Sequence, residues 1–385
     1  MRWRRYRRQI ALWYLRTFLR MNRASIRIRN IFWRRSILLG RSVLRPFHRY
    51  SRFLGFWKAS AAAAVAENPV VVISSDLPGL VGASRAARRL RRPHMHDCHE
   101  LYLESTALTR TDRYLLRRHE RRHMRRADTV LAVNRSIANE YRRRYGLRRV
   151  RVIRNCAQRP AQFAPVEIRD LAQLPRSSRV LLYQGGFSRG RGLDVVLAGL
   201  AQLPQDVALV LLGYGPLEES LRSQANGLGI TSRFRILPAV PPDELLPVTA
   251  SATLGVIPYQ PVSLNNYFCL PNKIYEYTAV GVPVIASDLP ELRKIAVTAG
   301  CGITYNSYDP SSFAAATMSM LDPVTYASTR RSAELYGHHH HWGLERLRLE
   351  DAVAQLHPLP QPLSESPAFV SDQGDERAQL RPAVA

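Results

Sequence analysis

From residue 69 onward the chain alternates short apolar runs with longer stretches of helical spacing. Runs at 70–74, 93–96, 129–133 and 150–153 read as strands, and the stretches 78–92, about 104–127 and 136–145 between them read as helices. The same alternation resumes after residue 178. Strands are predicted at 180–184, 207–212, 233–237, 254–257 and 283–286. Helices are predicted from near Leu193, over 243–250 and 273–280, from Pro290, and over 342–356. Asn272 stands as N-cap candidate before the 273–280 helix, and Gly281 lies just past its end. Regular strand–helix alternation predicts parallel sheets with covered faces, that is, an α/β chain of two doubly wound lobes.

Breaks in this pattern divide the chain. Residues 1–66 form an arginine-rich helical region and 67–157 a first lobe. The polar, proline-marked stretch 158–178 reads as a linker, 179–341 as a second lobe, and 342–357 as a closing helix. The tail 358–385, rich in Pro, Ser and Gln, is expected to be disordered.

Composition narrows the class. Of 385 residues 46% are hydrophobic, enough for two domains of roughly 150 residues each. No stretch approaches the roughly 18 apolar residues of a spanning helix; the longest candidate, 59–66, stops at Glu67. Arg16 and Arg20 interrupt the apolar run that a secretory signal needs. Cys98, Cys156, Cys269 and Cys301 are scattered, which speaks for a reducing compartment and against a disulfide framework or a cysteine-built zinc site. A cytoplasmic protein, soluble or peripheral, is expected.

The net charge is +26, and it is unevenly spread: the first 154 residues carry +29 and the remainder −3. Residues 1–60 hold 17 Lys and Arg and no acid. Such asymmetry predicts that the first half faces a polyanion. Residues 2–39 lack Gly and Pro, and on a helical wheel Trp3, Tyr6, Ile10, Trp13, Tyr14 and Phe18 oppose Arg4, Arg5, Arg8, Arg16 and Arg20. Leu12, Leu15 and Leu19 fall among the arginines. Aromatic residues opposite arginines suit an interfacial membrane helix. An anionic membrane surface is therefore favoured over nucleic acid, for which no recognisable binding module or aromatic stacking platform is present.

Candidate chemistry concentrates in the second lobe. Gly185, Gly186, Gly190 and Gly192 form a loop between a predicted strand and helix, with Arg189 and Arg191 inside it. Glycines there let backbone N–H groups approach an anion, and the helix start adds positive dipole. The loop is no Walker A motif, and Gly213-Tyr214-Gly215-Pro216 lacks the third glycine of a dinucleotide fingerprint. In Pro271-Asn272-Lys273-Ile274-Tyr275-Glu276, a lysine at a helix start suits a diphosphate. A carboxylate one turn in can accept hydrogen bonds from two ribose hydroxyls.

These segments, 183–192, 213–216 and 271–287, resemble in order the donor-binding lobe of the group 1 (family 4) glycosyltransferases of GT-B fold. The likeness covers roughly 165–356 and extends more weakly to 72–80, 93–105 and 127–134. It implies two Rossmann-like lobes. It also implies transfer of a sugar, with retained anomeric configuration, from a nucleoside-diphosphate donor to a glycan or lipid-linked acceptor. By this resemblance Glu276 binds the ribose and Arg191 the diphosphate, with Gly185, Gly186, Asn272 and Lys273 beside it. His99 is the acceptor-lobe histidine near the transferred sugar. No metal and no cofactor is expected, since Arg191, Lys273 and oriented amides can stabilise a departing phosphate.

The chain departs from the family pattern in three places. Phe268 stands where the first glutamate of the family's Glu-x7-Glu pair belongs, and Gly186 where an arginine is usual. Residues 1–68 offer no counterpart to the family's opening β-α-β segment, so an incomplete first lobe is expected. His119-Glu120-Arg121-Arg122-His123 fits a zinc-binding pattern, yet two arginines within it oppose a cation, and a solvated basic helix is the expectation. His94 and His96 share one strand face, with His99 past the strand end. A metal on these three is less favoured than His99 acting alone.

Overall fold

The computed structural model describes residues 32–158 and 164–356, with side chains described from residue 48 onward. The amphipathic pattern over 2–31 and the tail 358–385 lie outside the described residues. Two separate parallel sheets organise the rest. The first contains β1 (Val72–Ser75), β2 (His94–Cys98), β3 (Thr129–Ala132) and β4 (Val150–Val152), side by side in chain order. Val72 lies opposite His94, and Met95 opposite Thr129. Right-handed crossovers between strands taken in order put the helices Asp76–Leu90, Arg110–Met124 and Arg135–Tyr145 on one face. That face buries Leu77, Leu80, Leu116, Val130, Ala132 and Tyr141 in one core.

The other face of this sheet is covered from the far end of the chain. The helix Trp342–Ala354 brings Leu349, Ala352 and Val353 onto Met95 and Leu131. In front of the first strand, the helix Phe32–Ala66 packs along Asp76–Leu90. Trp57 is fully buried between them and donates its indole N–H to the Pro78 carbonyl at 3.1 Å. Gly82 permits this approach, because a Cβ there would stand 2.1 Å from Ser60 Oγ.

The second sheet contains β5 (Arg179–Gln184), β6 (Val207–Leu212), β7 (Phe234–Leu237), β8 (Leu254–Ile257), β9 (Val284–Ser287) and β10 (Gly302–Tyr305). Their spatial order is β10-β9-β8-β5-β6-β7. Strand progression reverses between β5 and β8, and outside the carboxyl ends of such a pair a doubly wound sheet opens a crevice. β6 and β8 are buried at every position, as expected for strands with helices on both faces.

Several boundaries differ from the sequence pattern. The basic helix begins at Arg110 instead of near residue 104, after a 3₁₀ turn at Tyr102–Glu104. A capping box fixes the start: Thr109 accepts from the Asp112 N–H while Asp112 accepts from the Thr109 N–H. Its inner face is not solvated. Glu120 and His123 are buried, with Tyr145 O–H donating to Glu120 and His123 Nδ1 paired with Ser84 Oγ at 2.9 Å. The presumed linker is not all linker. Ile168, Ala172 and Leu174 enter the second lobe's core through a short helix, Ile168–Leu171. Two helices, Pro310–Met320 and Pro323–His339, carry too little apolar periodicity to be read in advance. Asn272 itself is helical (φ −52°, ψ −32°) and makes no side-chain cap, because the turn already begins at Pro271, whose carbonyl accepts from the Ile274 N–H.

Candidate functional site

The glycine loop after β5 and the turn after β6 are laced together at the crevice mouth. Gly185 N–H donates to the Leu212 carbonyl at 2.8 Å, and Phe187 N–H to the Tyr214 carbonyl at 2.9 Å. Gly213 adopts φ +150°, and a Cβ there would lie 2.2 Å from the Gly185 carbonyl oxygen. Only glycine lets the two loops meet so closely. Against this floor stands the helix Lys273–Ala279, and between them opens a cleft of about 500 Å³. Gly185, Gly186, Asn272, Lys273 and Glu276 all line it, joined by Gln184, Tyr214, Val240 and Tyr259.

The cleft wall carries one cation, Lys273, and one acid, Glu276, with a second cation, Arg191, close behind it. Lys273 reaches across to the loop, its ammonium 2.9 Å from where a Gly185 Cβ would be. It lies over the Tyr183 ring at 5.2 Å and 3.4 Å from Tyr259 O–H. Burial pulls its pKa down to about 8, with the nearby Arg191 adding to the shift and Glu276 opposing it. Arg191 does not line the cleft wall itself. Its guanidinium stacks 4.0 Å over Tyr259, which does. Glu276 accepts a hydrogen bond from Gln184 Nε2 at 2.5 Å, and Gln184 Oε1 in turn accepts from Thr249 O–H at 2.9 Å. Burial raises the Glu276 pKa, with the Gln184 bond and Lys273 working against that rise. A helix-borne carboxylate and ammonium, one turn apart, thus share the cleft, with a second cation stacked on Tyr259 behind its wall.

His99 stands apart, on the first lobe. It is exposed at the end of β2, with Nε2 3.0 Å from Asp97 Oδ2 and Nδ1 3.6 Å from Asp76 Oδ2. Its backbone N–H donates to Asp76 at 3.0 Å. Asp76 holds a left-handed backbone, φ +47°, strained for a residue with a Cβ. The histidines on β2 are differently employed: Ser74 Oγ sits 2.8 Å from both His94 Nε2 and His96 Nδ1. Among the described residues no group of three His, Cys, Asp or Glu side chains is arranged to hold a metal ion.

The two lobes are tied next to His99. Asn265 accepts from the Leu101 N–H at 2.9 Å and donates to Glu100 at 2.7 Å. Asn134 donates to the Phe268 carbonyl at 2.8 Å, and the Phe268 ring packs against the first lobe's core. Position 268 therefore serves the junction between lobes. The segment carrying Asn265 and Phe268 begins at Tyr259, so one loop lines the cleft at one end and touches the His99 neighbourhood at the other.

The pattern of residues had exposed the glycines, Arg191, Lys273 and Glu276 but not Gln184, Tyr259 or the Asp76–Asp97 pair around His99. Gln184 and Tyr259 do carry one signal, since Gln184 ends β5 and Tyr259 stands two residues past β8, both strands whose carboxyl ends open on the crevice.

Comparison with known proteins bears on the family and the fold. The family profile described as glycosyl transferases group 1 matches residues 178–323, and that described as glycosyltransferase family 4 matches residues 4–157. A D-inositol 3-phosphate glycosyltransferase of Acidothermus cellulolyticus is 27% identical over 292 residues, covering 69% of this chain and 62% of its own length. A phosphatidyl-myo-inositol mannosyltransferase of Mycobacterium leprae is 30% identical over 163 residues, 39% of each chain. The match thus spans less than two thirds of these relatives. Among solved structures, Anabaena Alr3699/HepE in complex with UDP superposes with a TM-score of 0.64 at 18% identity, over 77% of this chain and 82% of that one. Sucrose-phosphate synthase from Thermosynechococcus elongatus gives 0.64 at 21% identity, over 78% and 77%. With two profiles matching its two lobes in order and both lobes built as parallel sheets, the chain belongs to the group 1 (family 4) glycosyltransferases of GT-B fold.

Proposed function

We propose that this protein transfers a sugar from a nucleoside-diphosphate donor to a hydroxyl of a glycan or lipid-linked acceptor, and that it works at the cytoplasmic face of a membrane. The observation that carries the reading is the convergence of Glu276, Lys273 and the 185–186 loop on one cleft at the switch point of the second sheet. Glu276 would accept from the ribose hydroxyls, with Gln184 holding its second oxygen. The diphosphate would lie over Gly185 and Gly186, between Lys273 and Arg191, and Ala239, Val240 and Leu245 offer an apolar wall for the base. A D-inositol 3-phosphate glycosyltransferase among the relatives and a UDP complex among the structural neighbours support the class.

In the transfer, the bond between the anomeric carbon and the β-phosphate oxygen breaks, and its electron pair stays on the diphosphate. The acceptor oxygen bonds to the anomeric carbon and gives its proton to the departing phosphate. The two cations and backbone amides stabilise the charge that grows on that oxygen, without need of a metal or cofactor. His99, flanked by carboxylates on the facing lobe, would contact the sugar or acceptor. Retention of configuration follows from the resemblance alone. Calorimetric titration of UDP tests the donor assignment: Glu276→Ala should weaken binding by about ten- to a hundredfold. Unchanged affinity would remove the ribose role.

For the membrane, support comes from four exposed arginines on neighbouring helices, Arg85, Arg88, Arg118 and Arg122, and from Arg126 just past the end of the second. They are close enough to perturb one another and the histidines between them. No nucleic acid partner is invoked. A second reading, a donor-binding relative without turnover, draws on Phe268 being committed to the lobe junction where the family keeps a glutamate. Release of UDP from UDP-sugar by the purified chain in the presence of acceptor would exclude it.

A further inference from the structure

Behind the helix Lys273–Ala279, on the side away from the donor cleft, lies a second chamber of about 260 Å³. It is shared by both lobes: Arg135 comes from the first, Tyr275 and Lys294 from the second, and Arg154 from the strand end that leads between them. Three cations and one acid, Glu291, line it. Glu291 is already engaged, since its Oε1 accepts from the Ser136 N–H at 3.1 Å, from Ser136 O–H at 2.5 Å, and from Lys294 at 2.7 Å. Arg154 is paired with Glu345 at 3.1 Å. Arg135 is exposed and makes neither an ion pair nor a hydrogen bond among the described residues.

A second observation is independent of charge. Tyr275 is 1% exposed, and its hydroxyl has no hydrogen-bond partner among the described residues. A buried hydroxyl without a partner costs free energy that a ligand oxygen would recover. A chamber with surplus positive charge, one uncommitted guanidinium and one unmatched hydroxyl is complementary to a compact, oxygen-rich anion.

We propose that the chamber bounded by Arg135, Arg154, Lys294 and Tyr275 binds a small phosphate-bearing anion, separate from the donor diphosphate. The anion bridges the two lobes and leans on the back of the helix whose front faces the donor. Its occupancy ties the lobes together and holds Tyr275, and hence its neighbour Glu276, in place.

The test is a titration of the full chain with inorganic phosphate and with glycerol phosphate, followed by ³¹P line broadening and by thermal shift. Saturable binding is expected in the parent and in Arg191→Ala, in which the donor cleft is weakened. Arg135→Ala should lower the affinity about tenfold, and Tyr275→Phe, which removes only the unpartnered hydroxyl, about threefold or more. Tighter binding of glycerol phosphate assigns a phosphomonoester, and tighter binding of inorganic phosphate assigns the free ion. The proposal is overturned if no saturation occurs at millimolar probe. It is equally overturned if Arg135→Ala and Tyr275→Phe bind like the parent, whatever Arg191→Ala does. Because Arg191→Ala and Arg135→Ala report on different cavities, loss of the donor assignment would leave this result readable.

Discussion

Lys273 shows how one side chain carries both the cost and the use of the proposed donor cleft. Its ordinary pKa of 10.5 falls to about 8 because the folded chain buries the ammonium beside Arg191. The folded state therefore binds fewer protons than the unfolded one between pH 8 and 10.5, so stability from this group rises with pH across that window. Below pH 8 the ligand-free protein tolerates a buried charge, and Lys273→Met should raise its Tm at pH 7 by about 2 °C. A diphosphate bound there as proposed would reverse the balance by favouring the charged form. UDP affinity should thus decline as pH rises from 7 to 9, and calorimetry on Lys273→Met should find weaker binding with that decline flattened. Lys273 and Glu276 were legible in the sequence because both lie within one turn of a helix announced by Pro271-Asn272. Gln184, which fixes Glu276, was not. It lies 92 positions away, and no local pattern couples them.

At the level of the element, the first sheet and the basic helix over it are shaped by buried imidazoles. Burial holds His94 at a pKa of about 4, His96 at about 3 and His123 at about 4, against an ordinary 6.5. Each is neutral when folded, so the unfolded chain binds more protons as pH falls from 6.5 toward 4, and stability is lost across that window. Glu120 works the other way. Burial raises its pKa to about 7, and its contribution is lost as pH rises from 4.5 through 7. Three groups against one make the acid side dominant. Urea midpoints measured at pH 7, 5.5 and 4.5 should fall steadily, and His96→Gln should shallow the fall if it folds; a flat profile would contradict the burial argument. The strands themselves were readable, because β5, β6 and β8 are unbroken apolar runs closed by polar or turn residues. The start of the basic helix was misplaced by several residues although Thr109 and Asp112 spell a capping box. Apolar spacing alone extends through the preceding 3₁₀ turn and so hides the cap.

Across the whole molecule, charge and candidate chemistry are segregated: arginines crowd the outer helices of the first lobe while the proposed donor cleft opens in the second. Each basic side chain near an anionic surface contributes about 1 kcal/mol. Replacing Arg85, Arg88, Arg118 and Arg122 by Gln should therefore lower partitioning onto phosphatidylserine vesicles by about a hundredfold or more while leaving UDP binding unchanged. Co-flotation equal to the parent would remove the surface from the account. The two-lobe plan was visible in the alternation of strands and helices. The lobe junction was not, because Asn265, Phe268 and Asn134 meet only after both sheets have formed.

The path of the backbone also sets an order of events during translation. Met95 and Leu131 emerge from the ribosome early, yet the residues that shelter them, Leu349, Ala352 and Val353, are made more than two hundred codons later. Until then the nascent first half carries an oily surface with nothing over it, so a ribosome stalled before codon 342 would present chaperones with a half-finished protein. A nick that frees the Trp342–Ala354 segment would undo not the nearest part of the molecule but the part synthesised first.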